Sequence, residues 1–588
     1  MLDIKLLRES PDVVKADLKK RGRDPAVVDE LLRLDATWRS SNHQLEQLRA
    51  HRNHLSPFYG KLKQSQKASN AEFNHLSQWL ANMHEYWDYR KGTPGLWARI
   101  TDKERKAFIN FLEGASNWAF HAAKYPEAVS LHLLVYQEVV RPMGIAFDSE
   151  SLAKAKQLVL EIQKTTHEWQ DIQRSANLAW SSTIQMTPEE RERVFQKIDS
   201  WPAFRSSSFN NLQNVLIKLD EPPLTLVGNL SSSIARLEKL AASSLQERDA
   251  LHRGLPNLMH DSVPVGKDSS ENVEIRRWGK ASLHDFKPRS HVDLLGSLDL
   301  ADLEAAARVA GSRFFYLKND LVLLGRALEF FALHHLAKKG FTAIEPPYMM
   351  RREALEGAID LADFESVIYK VEAGAGAEKG EAAELYLIAT SEHPIAALHM
   401  GAILESARLP LKYAGVSPCF RKEAGAHGKD TKGIFRVHQF SKVEQFVFAK
   451  PEDSWRIHEE LIANAEELYR ALKIPYRVVN ICTGDLGSIA AKKYDLEAWM
   501  PVQGAYREVV SCSNCTDFQA RRYDTRHRKA PGDPTEFVHT LNSTAIAVQR
   551  TLVAILENFQ QADGSVVVPE VLRTYVGKER IVAEEATI

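Results

Sequence analysis

Long amphipathic patterns occupy two separate stretches of the chain. Between residues 24 and 55, apolar residues such as Leu31 and Leu45 recur mostly at spacings of three and four, with charged residues on the opposite face. A similar pattern runs from Leu226 to Leu251. Apolar residues at this spacing line one face of a helix. The patterns predict two long helices that suit an antiparallel coiled-coil arm, preceded by a short helical unit over residues 1–24.

The stretch between these two helices, residues 57–224, is far longer than a hairpin loop requires. It contains seven of the eleven tryptophans and no cysteine, and its 20 Lys and Arg nearly balance its 19 Asp and Glu. Helical patterns recur within it. We interpret 57–224 as a separate, mainly helical inserted domain with the tryptophans in its core. Its near-zero net charge argues against a dedicated RNA-binding module.

From about residue 263 the pattern changes, and helices alternate with short strand-like runs. Runs rich in β-branched and aromatic residues lie at 411–416, 443–448, 476–481 and 507–512. Charged loops separate them, without the regular alternation of strand and helix that builds a parallel sheet. The pattern predicts an α+β domain whose sheet is largely antiparallel.

The net charge and the lengths of the apolar runs limit the classes of protein to which this chain can belong. The net charge of the chain is −1, so any binding of nucleic acid depends on local basic patches. No apolar run is long enough to form a membrane helix, and the first residues are too charged for a secretory signal. We therefore expect a cytoplasmic protein without a membrane partner.

The four cysteines all lie in the C-terminal third of the chain, at positions 419, 482, 512 and 515. This distribution is not a disulfide framework and indicates a reducing compartment. Cys512 and Cys515 have the spacing of a zinc or redox pair, but no second pair accompanies them. We interpret them as structural cysteines on a strand.

Arginines flank a glycine-rich loop in the C-terminal part. Phe420-Arg421-Lys422-Glu423 precedes the loop, and a second strand-like segment ending in Phe440 follows it. Arginine offers a planar fork of donors that suits phosphate oxygens, and glycines let the backbone approach a nucleotide closely. Glu444 lies on the returning strand, and Arg550 lies on a helix near the end of the chain. Together these residues predict a phosphate-binding site.

These segments resemble motifs 2 and 3 of class II aminoacyl-tRNA synthetases, and specifically those of the seryl-tRNA synthetase family. Three further segments resemble motif 1, the serine loop, and the strand that binds ATP and metal: Gly340–Pro347, Thr390–Glu392 and Arg507–Cys515. The resemblance covers 1–56 and about 225–588, and only 57–224 falls outside it. It implies a class II antiparallel sheet with flanking helices.

The resemblance also implies a role for each matching residue. Arg421, Arg550 and Glu508 would be catalytic, with Arg421 on the α-phosphate and Arg550 on the γ-phosphate. Glu508 and Ser511 would bind Mg²⁺, a hard cation that prefers oxygen ligands. The implied ATP-binding residues are Arg421, Lys422, Glu423, Phe440, Glu508, Val509, Val510, Ser511 and Arg550. The implied serine-binding residues are Thr390, Ser391, Glu392, Glu444 and Thr544.

By this resemblance, the chain is expected to be a homodimeric serine--tRNA ligase that uses ATP and Mg²⁺, L-serine and the tRNA for serine. The expected parts are a first arm helix within 1–56, the insert at 57–224, a returning arm helix over 225–262, and a catalytic domain over 263–588. One alternative is a ligase that loads a carrier other than tRNA. Another is a natural or engineered scaffold that presents 57–224 to an unknown partner.

Overall fold

The computed structural model describes residues 1–50, 52–53, 206–281, 284–359, 366–371, 384–423 and 432–583, with the backbone alone for 206–229. The chain divides into two compact units. The first consists of Met1–Asp35 and Gln246–Ile588, and the second is Ala36–Leu245. Within the described ranges, no helix is both long and apolar enough to cross a membrane.

Within the described ranges, all strands belong to the first unit. In chain order they are β1 (Val273–Trp278), β2 (Ala301–Asp302), β3 (Tyr316–Leu317), β4 (Thr342–Ile344), β5 (Met349–Arg351), β6 (Lys370–Val371), β7 (Leu385–Leu387), β8 (Ile403–Glu405), β9 (Leu411–Phe420), β10 (Gln439–Ala449), β11 (Tyr476–Asn480), β12 (Lys492–Met500), β13 (Ala505–Asn514), β14 (Arg526–Arg528), β15 (Glu536–Phe537), β16 (His539–Ala547), β17 (Val566–Val567) and β18 (Arg580–Ile581).

Eight of these strands form the main sheet, in the order β1-β11-β12-β13-β16-β10-β9-β4. All neighbours are antiparallel except β4 and β9, which run parallel. The four strand-like runs of the sequence appear as β9, β10, β11 and β13. The prediction of an α+β fold with a largely antiparallel sheet is therefore confirmed.

The helices fall in both units. They are α1 (Ile4–Glu9), α2 (Pro11–Lys20), α3 (26–50), α4 (Ser206–Gly254), α5 (His291–Ser297), α6 (Leu303–Ala310), α7 (Asn319–Lys338), α8 (Arg352–Ala358), α9 (Glu392–Ala397), α10 (Ser454–Ala471), α11 (Phe518–Tyr523), α12 (Val548–Phe559) and α13 (Arg573–Val576).

Long helices cover one side of the main sheet. Val443 and Val447 of β10 and Leu541 of β16 belong to one buried cluster with Leu461 of α10 and Leu552 of α12. Successive residues of a strand point to opposite sides, so Val443 and Val447, four apart on β10, enter the same core. The residues of β10 between them face the other side, which carries Lys442 and Glu444 at one end and Phe446 and Phe448 of a second buried cluster at the other.

The N-terminal helices pack within the first unit. Leu7 of α1 and Leu18 of α2 are buried in a cluster with Leu31 of α3. Arg8 binds Asp35, which is fully buried, with Nη2 and Oδ1 2.7 Å apart, and Arg248 of α4 reaches the same oxygen at 3.3 Å. A buried carboxylate needs such charged partners to be tolerated.

In the second unit, α3 and α4 pack along their apolar faces. Leu45 of α3 is buried with Leu230 and Ile234 of α4, and Arg49 binds Glu238 at 2.7 Å. The returning helix that we predict from 225 begins earlier, at Ser206. The helical domain predicted over 57–224 lies outside the described residues up to 205, and its boundaries stay a prediction.

Candidate active site

One side of the main sheet collects polar residues from neighbouring strands. Residues opposite each other on two antiparallel strands point to the same side. Glu444 of β10 lies opposite Thr544 of β16, and Phe440 of β10 lies opposite Cys419 of β9. Arg421, two residues beyond Cys419, continues this side just past the end of β9. We call the side that carries Arg421, Phe440, Glu444 and Thr544 the polar face.

A bulge in β13 brings the two predicted metal ligands to the polar face. In a regular strand, residues three apart such as Glu508 and Ser511 point to opposite sides. Here the pairing shifts by one residue, because Glu508 lies opposite Glu497 whereas Ser511 lies opposite Asp495. Val509 is the extra residue of this bulge. Both side chains therefore point to one side, which the pairing of β13 with β16 identifies as the polar face.

A buried ion pair lies within the polar face. Lys442 and Glu444, two residues apart on β10, are joined through Nζ and Oε2, and their side chains are only 8% and 2% exposed. Thr544 Oγ1 donates to the same Oε2 at 3.3 Å. Each buried charge depends on its partner for compensation. The sequence analysis missed Lys442, although its spacing of two from Glu444 on a predicted strand was a usable signal.

Arg421 is held by main-chain and side-chain contacts. Its amide donates to the carbonyl oxygen of His438, and Nδ1 of His438 lies 2.9 Å from the carbonyl oxygen of Arg421. Arg421 Nε donates to the carbonyl oxygen of Ala389 at 3.3 Å. The guanidinium carbon lies 5.2 Å from the centroid of the Phe440 ring, a distance suited to a cation–π contact. The guanidinium is therefore placed before any ligand arrives.

The predicted serine loop lies at the start of α9. Oε1 of Glu392 accepts hydrogen bonds from Gln519 Nε2 at 3.0 Å and from Asn542 Nδ2 at 3.1 Å. Thr390 Oγ1 accepts from the amide of Glu392 at 3.1 Å, a local bond from backbone to side chain just before the helix. The Ser391 hydroxyl donates to the carbonyl oxygen of Gly415 on β9 at 3.4 Å, so this side chain anchors the loop to the sheet.

Two carboxylates on this side have perturbed acidity. Burial raises the pKa of Glu392 to about 7, and the charge of Glu444 adds to the rise. Burial likewise raises the pKa of Glu444, although Lys442 and Thr544 favour its ionised form. Buried carboxylates with raised pKa values are typical of functional sites. The charge of Arg421 acts on both, so the three residues share one electrostatic environment.

Arg550 of α12 reaches β13. Its Nη1 lies 3.3 Å from Oε1 of Glu508 and donates to the main-chain oxygen of Glu508 at 3.0 Å. Desolvation alone would raise the pKa of Glu508, but Arg550, Lys493 and Arg421 hold it below its ordinary value. The structure thus brings Arg421, Glu444, Glu508 and Arg550 together, as the phosphate site predicted from the sequence requires.

Asp495 of β12 is a further acidic residue that the sequence analysis missed. Ser511 Oγ donates to Asp495 Oδ1 at 2.7 Å, and Lys493 Nζ lies 3.7 Å from Oδ2. Burial raises the pKa of Asp495 against the effect of Lys493, and the charge of Glu508 contributes to the rise. The available signal was the alternation of Lys493, Asp495 and Glu497 along one side of a strand.

The remaining residues predicted to bind the nucleotide differ in which of their atoms a ligand could contact. The side chains of Val509 and Val510 are buried, so a ligand could meet only their main-chain atoms. Lys422 Nζ lies 5.8 Å from the centroid of the Tyr369 ring, and Glu423 accepts from Arg436 at 3.3 Å. The loop at 424–431, which follows Glu423, lies outside the described residues.

All four cysteines are free and buried. Cys512 Sγ contacts the carbonyl oxygen of His458 at 3.8 Å, and Cys515 Sγ accepts from Asn542 at 3.7 Å. Among the described residues, no group of three or more His, Cys, Asp or Glu residues is arranged to hold a metal ion. These contacts agree with the interpretation of Cys512 and Cys515 as structural.

Two family models match the chain. The tRNA synthetase class II core domain (G, H, P, S and T) matches residues 369–559, which include β9, β10, β13 and β16. The seryl-tRNA synthetase N-terminal domain matches residues 1–87 and therefore extends into the stretch that we interpret as an insert. The first match includes every site residue named above.

Similar proteins match along most or all of the chain. The serine--tRNA ligase of Thermococcus onnurineus is 41% identical over 603 aligned positions, which cover 99% of this chain and 97% of that protein. The serine--tRNA ligase of Archaeoglobus fulgidus is 60% identical over 343 residues, covering 55% of this chain and 74% of that protein.

Two solved structures are similar over the whole chain. One is seryl-tRNA synthetase from Pyrococcus horikoshii complexed with ATP, with a TM-score of 0.66, 40% identity and coverage of 100% of both chains. The other is the cytoplasmic serine-tRNA ligase of Naegleria fowleri in complex with AMP, with a TM-score of 0.63, 29% identity, and coverage of 100% of this chain and 99% of that one.

Proposed function

The chain belongs to the serine--tRNA ligase family, and we propose that its polar face activates serine with ATP and passes the seryl group to the tRNA for serine. The observation that carries this assignment is the convergence of Arg421 and Arg550 with the carboxylates of Glu444 and Glu508 on one side of the sheet. Fixed cations suit a triphosphate, and buried carboxylates suit the ammonium and hydroxyl of serine.

The serine site is proposed at Glu444, Thr544, Glu392 and Thr390. The half-buried carboxylate of Glu392 and the buried carboxylate of Glu444 offer acceptors to an ammonium group, and Thr544 already donates to Oε2 of Glu444. A serine hydroxyl could replace that contact. Alanine would leave these buried groups unpaired, which can cost on the order of 10⁴ in discrimination. Ser391 enters this set only as an anchor of the loop.

The nucleotide site is proposed next to it, between Arg421, Phe440 and Arg550. Arg421 would bind the α-phosphate and the serine carboxylate, while Phe440 would stack on the adenine and Arg550 would hold the γ-phosphate. Lys422 and Glu423 follow Arg421 directly, and Val509 and Val510 would contribute main-chain atoms. The contact of Arg421 with the Phe440 ring supports adjacent phosphate and base positions. The ATP complex of the Pyrococcus horikoshii relative also supports a nucleotide here.

A divalent cation fits beside this nucleotide site. Glu508 and Ser511 present oxygen atoms from β13 on one side of the sheet, where Asp495 of β12 accepts a hydrogen bond from Ser511. Oxygen donors, carboxylate oxygens among them, are the ligands that Mg²⁺ prefers. Glu508 and Ser511 would hold the ion, which would supply positive charge to the phosphate oxygens. Asp495 accepts from Ser511, which leaves the oxygen lone pairs of Ser511 for the ion.

The reaction would proceed in two displacements. In the first, the serine carboxylate attacks the α-phosphorus of ATP, and pyrophosphate leaves to give seryl-adenylate. Arg421 and Arg550 neutralise charge on the phosphate oxygens and keep the reacting atoms in line. In the second, the terminal ribose hydroxyl of the tRNA attacks the seryl carbonyl carbon, and AMP leaves. Neither step needs a side-chain nucleophile from the protein.

A homodimer is proposed through α7 and the segment that resembles motif 1. Val322, Leu323 and Phe330 of α7 are 40%, 48% and 54% exposed, and Met349 is 45% exposed. Pro347 is exposed beside them in the chain. Large apolar side chains grouped on a surface helix favour burial against another protein, and a second copy of the chain is the partner that the family resemblance implies.

The arm is proposed to reach the tRNA, and a cytoplasmic location is proposed for the reaction. The match of residues 1–87 to the seryl-tRNA synthetase N-terminal domain supports the first proposal. The four free cysteines support the second, because a reducing compartment keeps thiols unpaired. The scaffold alternative is not favoured, since a serine--tRNA ligase matches along 99% of the chain.

The decisive experiment measures serine-dependent exchange of pyrophosphate into ATP, followed by charging of serine tRNA, with the full chain. Exchange with serine, but not with alanine or threonine, is the expected result, together with charging of the tRNA. Exchange without any charging would favour the ligase that loads another carrier. A folded protein without serine-dependent exchange would overturn the assignment.

A further inference from the structure

Gln519 lies behind the proposed serine site. It belongs to α11, its side chain is fully buried, and it holds no position in the predicted ligand sets. Its Nε2 donates to Oε1 of Glu392 at 3.0 Å. On its other side, its Oε1 accepts from the hydroxyl of Thr540 on β16 at 2.6 Å. The three residues form a continuous hydrogen-bonded chain that ends on a carboxylate of the polar face.

The direction of this chain fixes the orientation of the Gln519 amide. An ionised Glu392 carboxylate can only accept, so the amide nitrogen of Gln519 faces it and the amide oxygen faces the Thr540 hydroxyl. With the amide reversed, its oxygen would face a carboxylate oxygen, and two acceptors would meet without a proton between them. Thr540 then donates to the amide oxygen at 2.6 Å and helps to hold the amide in this orientation.

We propose that Gln519, oriented by Thr540, is a positioning residue that holds the Glu392 carboxylate in place for the ammonium group of serine. Gln519 and Asn542 both donate to Oε1, so Oε2 is the oxygen that these two residues leave for a ligand. This inference rests on the proposed serine site. It assigns no contact between Gln519 and the substrate itself.

The charges around Glu392 explain why such support matters. Burial and the charge of Glu444 oppose ionisation of Glu392, whereas Lys442, the bond from Gln519 and the charge of Arg421 favour it. Two further ionisable groups interact electrostatically with Glu392: the Cys515 thiol after β13 and the Tyr523 phenol on α11.

Ionisation of Glu392 is therefore closely balanced near neutral pH, where its pKa of about 7 lies. Only the ionised form binds an ammonium group well. Since a donor to a carboxylate stabilises the charged form, loss of the Gln519 amide would raise the pKa of Glu392 and weaken serine binding.

The test compares Gln519→Met and Thr540→Val with a matched control, Gln445→Met. Gln445 is also fully buried and bonded through both ends of its amide, to Leu461 and Asn464 of α10, but it lies on the side of β10 opposite to the polar face. A general loss of packing or of buried hydrogen bonds should therefore appear in all three variants, as a similar decrease in melting temperature.

For Gln519→Met we expect the KM for serine to rise about 10-fold in pyrophosphate exchange, as loss of a hydrogen bond to a charged group implies. The KM for ATP should stay within about twofold, because the nucleotide contacts are untouched. The acid limb of the kcat/KM profile for serine should move to higher pH, by about one unit. Thr540→Val should change both quantities in the same direction by a smaller amount.

Gln445→Met should change neither the KM for serine nor the pH profile. The inference is overturned if wild-type protein exchanges with serine and the variants at Gln519 and Thr540 keep its KM and its acid limb. It is also overturned if Gln445→Met reproduces their effects. Absence of serine-dependent exchange in the wild type would instead contradict the proposed function. Should Gln519→Met fail to fold, Thr540→Val, which removes only the orienting hydroxyl, decides the question.

Discussion

Thr544 of β16 lies directly opposite Glu444 of β10, and its hydroxyl donates to a carboxylate oxygen that also binds Lys442. This arrangement depends on a shift of register between Val443 and Glu444. Without the shift, Ala545 rather than Thr544 would face Glu444, because the pairs before it advance by one residue at a time. A local irregularity of two strands therefore assembles the centre of the proposed serine site.

Replacement of Glu444 by glutamine should abolish serine activation without removing nucleotide binding. Glu444→Gln keeps the shape of the side chain but loses the charge that pairs with Lys442 and faces the substrate. We expect kcat/KM for serine to fall by about 100-fold or more, because the interaction with a charged, hydrogen-bonding substrate is lost. Pyrophosphate exchange at varied serine, with nucleotide binding measured separately by calorimetry, provides the check.

A buried carboxylate outside the polar face serves as the control for that variant. Glu466 of α10 is 4% exposed and binds Arg276 at 2.9 Å. Glu466→Gln should lower stability and leave kcat/KM for serine near the wild-type value. A similar loss of serine activation in both variants would mean that damage to the fold, not to a serine site, explains the effect of Glu444→Gln.

Arg550→Ala should weaken ATP binding rather than serine binding. The guanidinium group of Arg550 reaches Glu508 from α12 and is proposed to exchange that contact for the γ-phosphate. Loss of a charge-assisted contact with phosphate is expected to raise the KM for ATP by about 10- to 100-fold. The KM for serine should change little. An unchanged KM for ATP would show that Arg550 serves only to hold β13.

The sequence predicts a feature of this site well when a single strand determines it, and poorly when the pairing of two strands determines it. Apolar alternation predicts β9, β10, β11 and β13, because each strand carries its own pattern. The common side of Glu508 and Ser511 depends on a bulge between two strands, for which the sequence of either strand holds no clear signal. Family resemblance supplied that pair where periodicity alone would have separated them.

Charged residues buried by tertiary contacts were the main omissions. Lys442 and Asp495 resemble solvated strand residues when read singly, and their burial is decided by the neighbouring strands. Arg21 is another charged residue whose contacts are decided by the tertiary structure. It lies in a basic cluster near the N-terminus, yet its guanidinium binds Asp17 and three main-chain oxygens, so it supports packing of the first unit.

The acidity of Glu392 predicts a pH dependence for serine activation. With a pKa of about 7, Glu392 loses its charge as the pH falls through neutrality. We expect kcat/KM for serine to decline on the acid side with an apparent pKa near 7, and Glu392→Gln to be inactive at every pH. A pH–rate profile under conditions of low serine reports this ionisation.

The same ionisation has an effect on stability whose sign is opposite to that of an ordinary salt bridge. The pKa of Glu392 in the folded protein lies above its usual value of 4.5, so the folded state binds the proton more tightly than the unfolded state. This contribution to stability is present at low pH and lost as the pH rises through 7. Glu392→Gln should therefore gain stability relative to wild type at pH 8 but not at pH 5, by about 1–3 kcal/mol. Equal differences in melting temperature at the two pH values would contradict the shift.

Removal of residues 57–224, with residue 56 joined to 225, should leave serine activation intact. Every residue assigned to the serine and nucleotide sites belongs to the unit formed by Met1–Asp35 and Gln246–Ile588, whereas the deleted stretch belongs to Ala36–Leu245. Because the site and the deleted stretch belong to separate compact units, we expect serine-dependent exchange to stay within about twofold of the full chain. The same deletion carrying Arg550→Ala should have the raised KM for ATP of the single variant.

If the deleted protein folds and loses exchange, the inserted stretch supports catalysis directly. If exchange persists while charging of serine tRNA falls, the stretch acts on the tRNA; and if both persist, it serves a partner other than the two substrates and the tRNA.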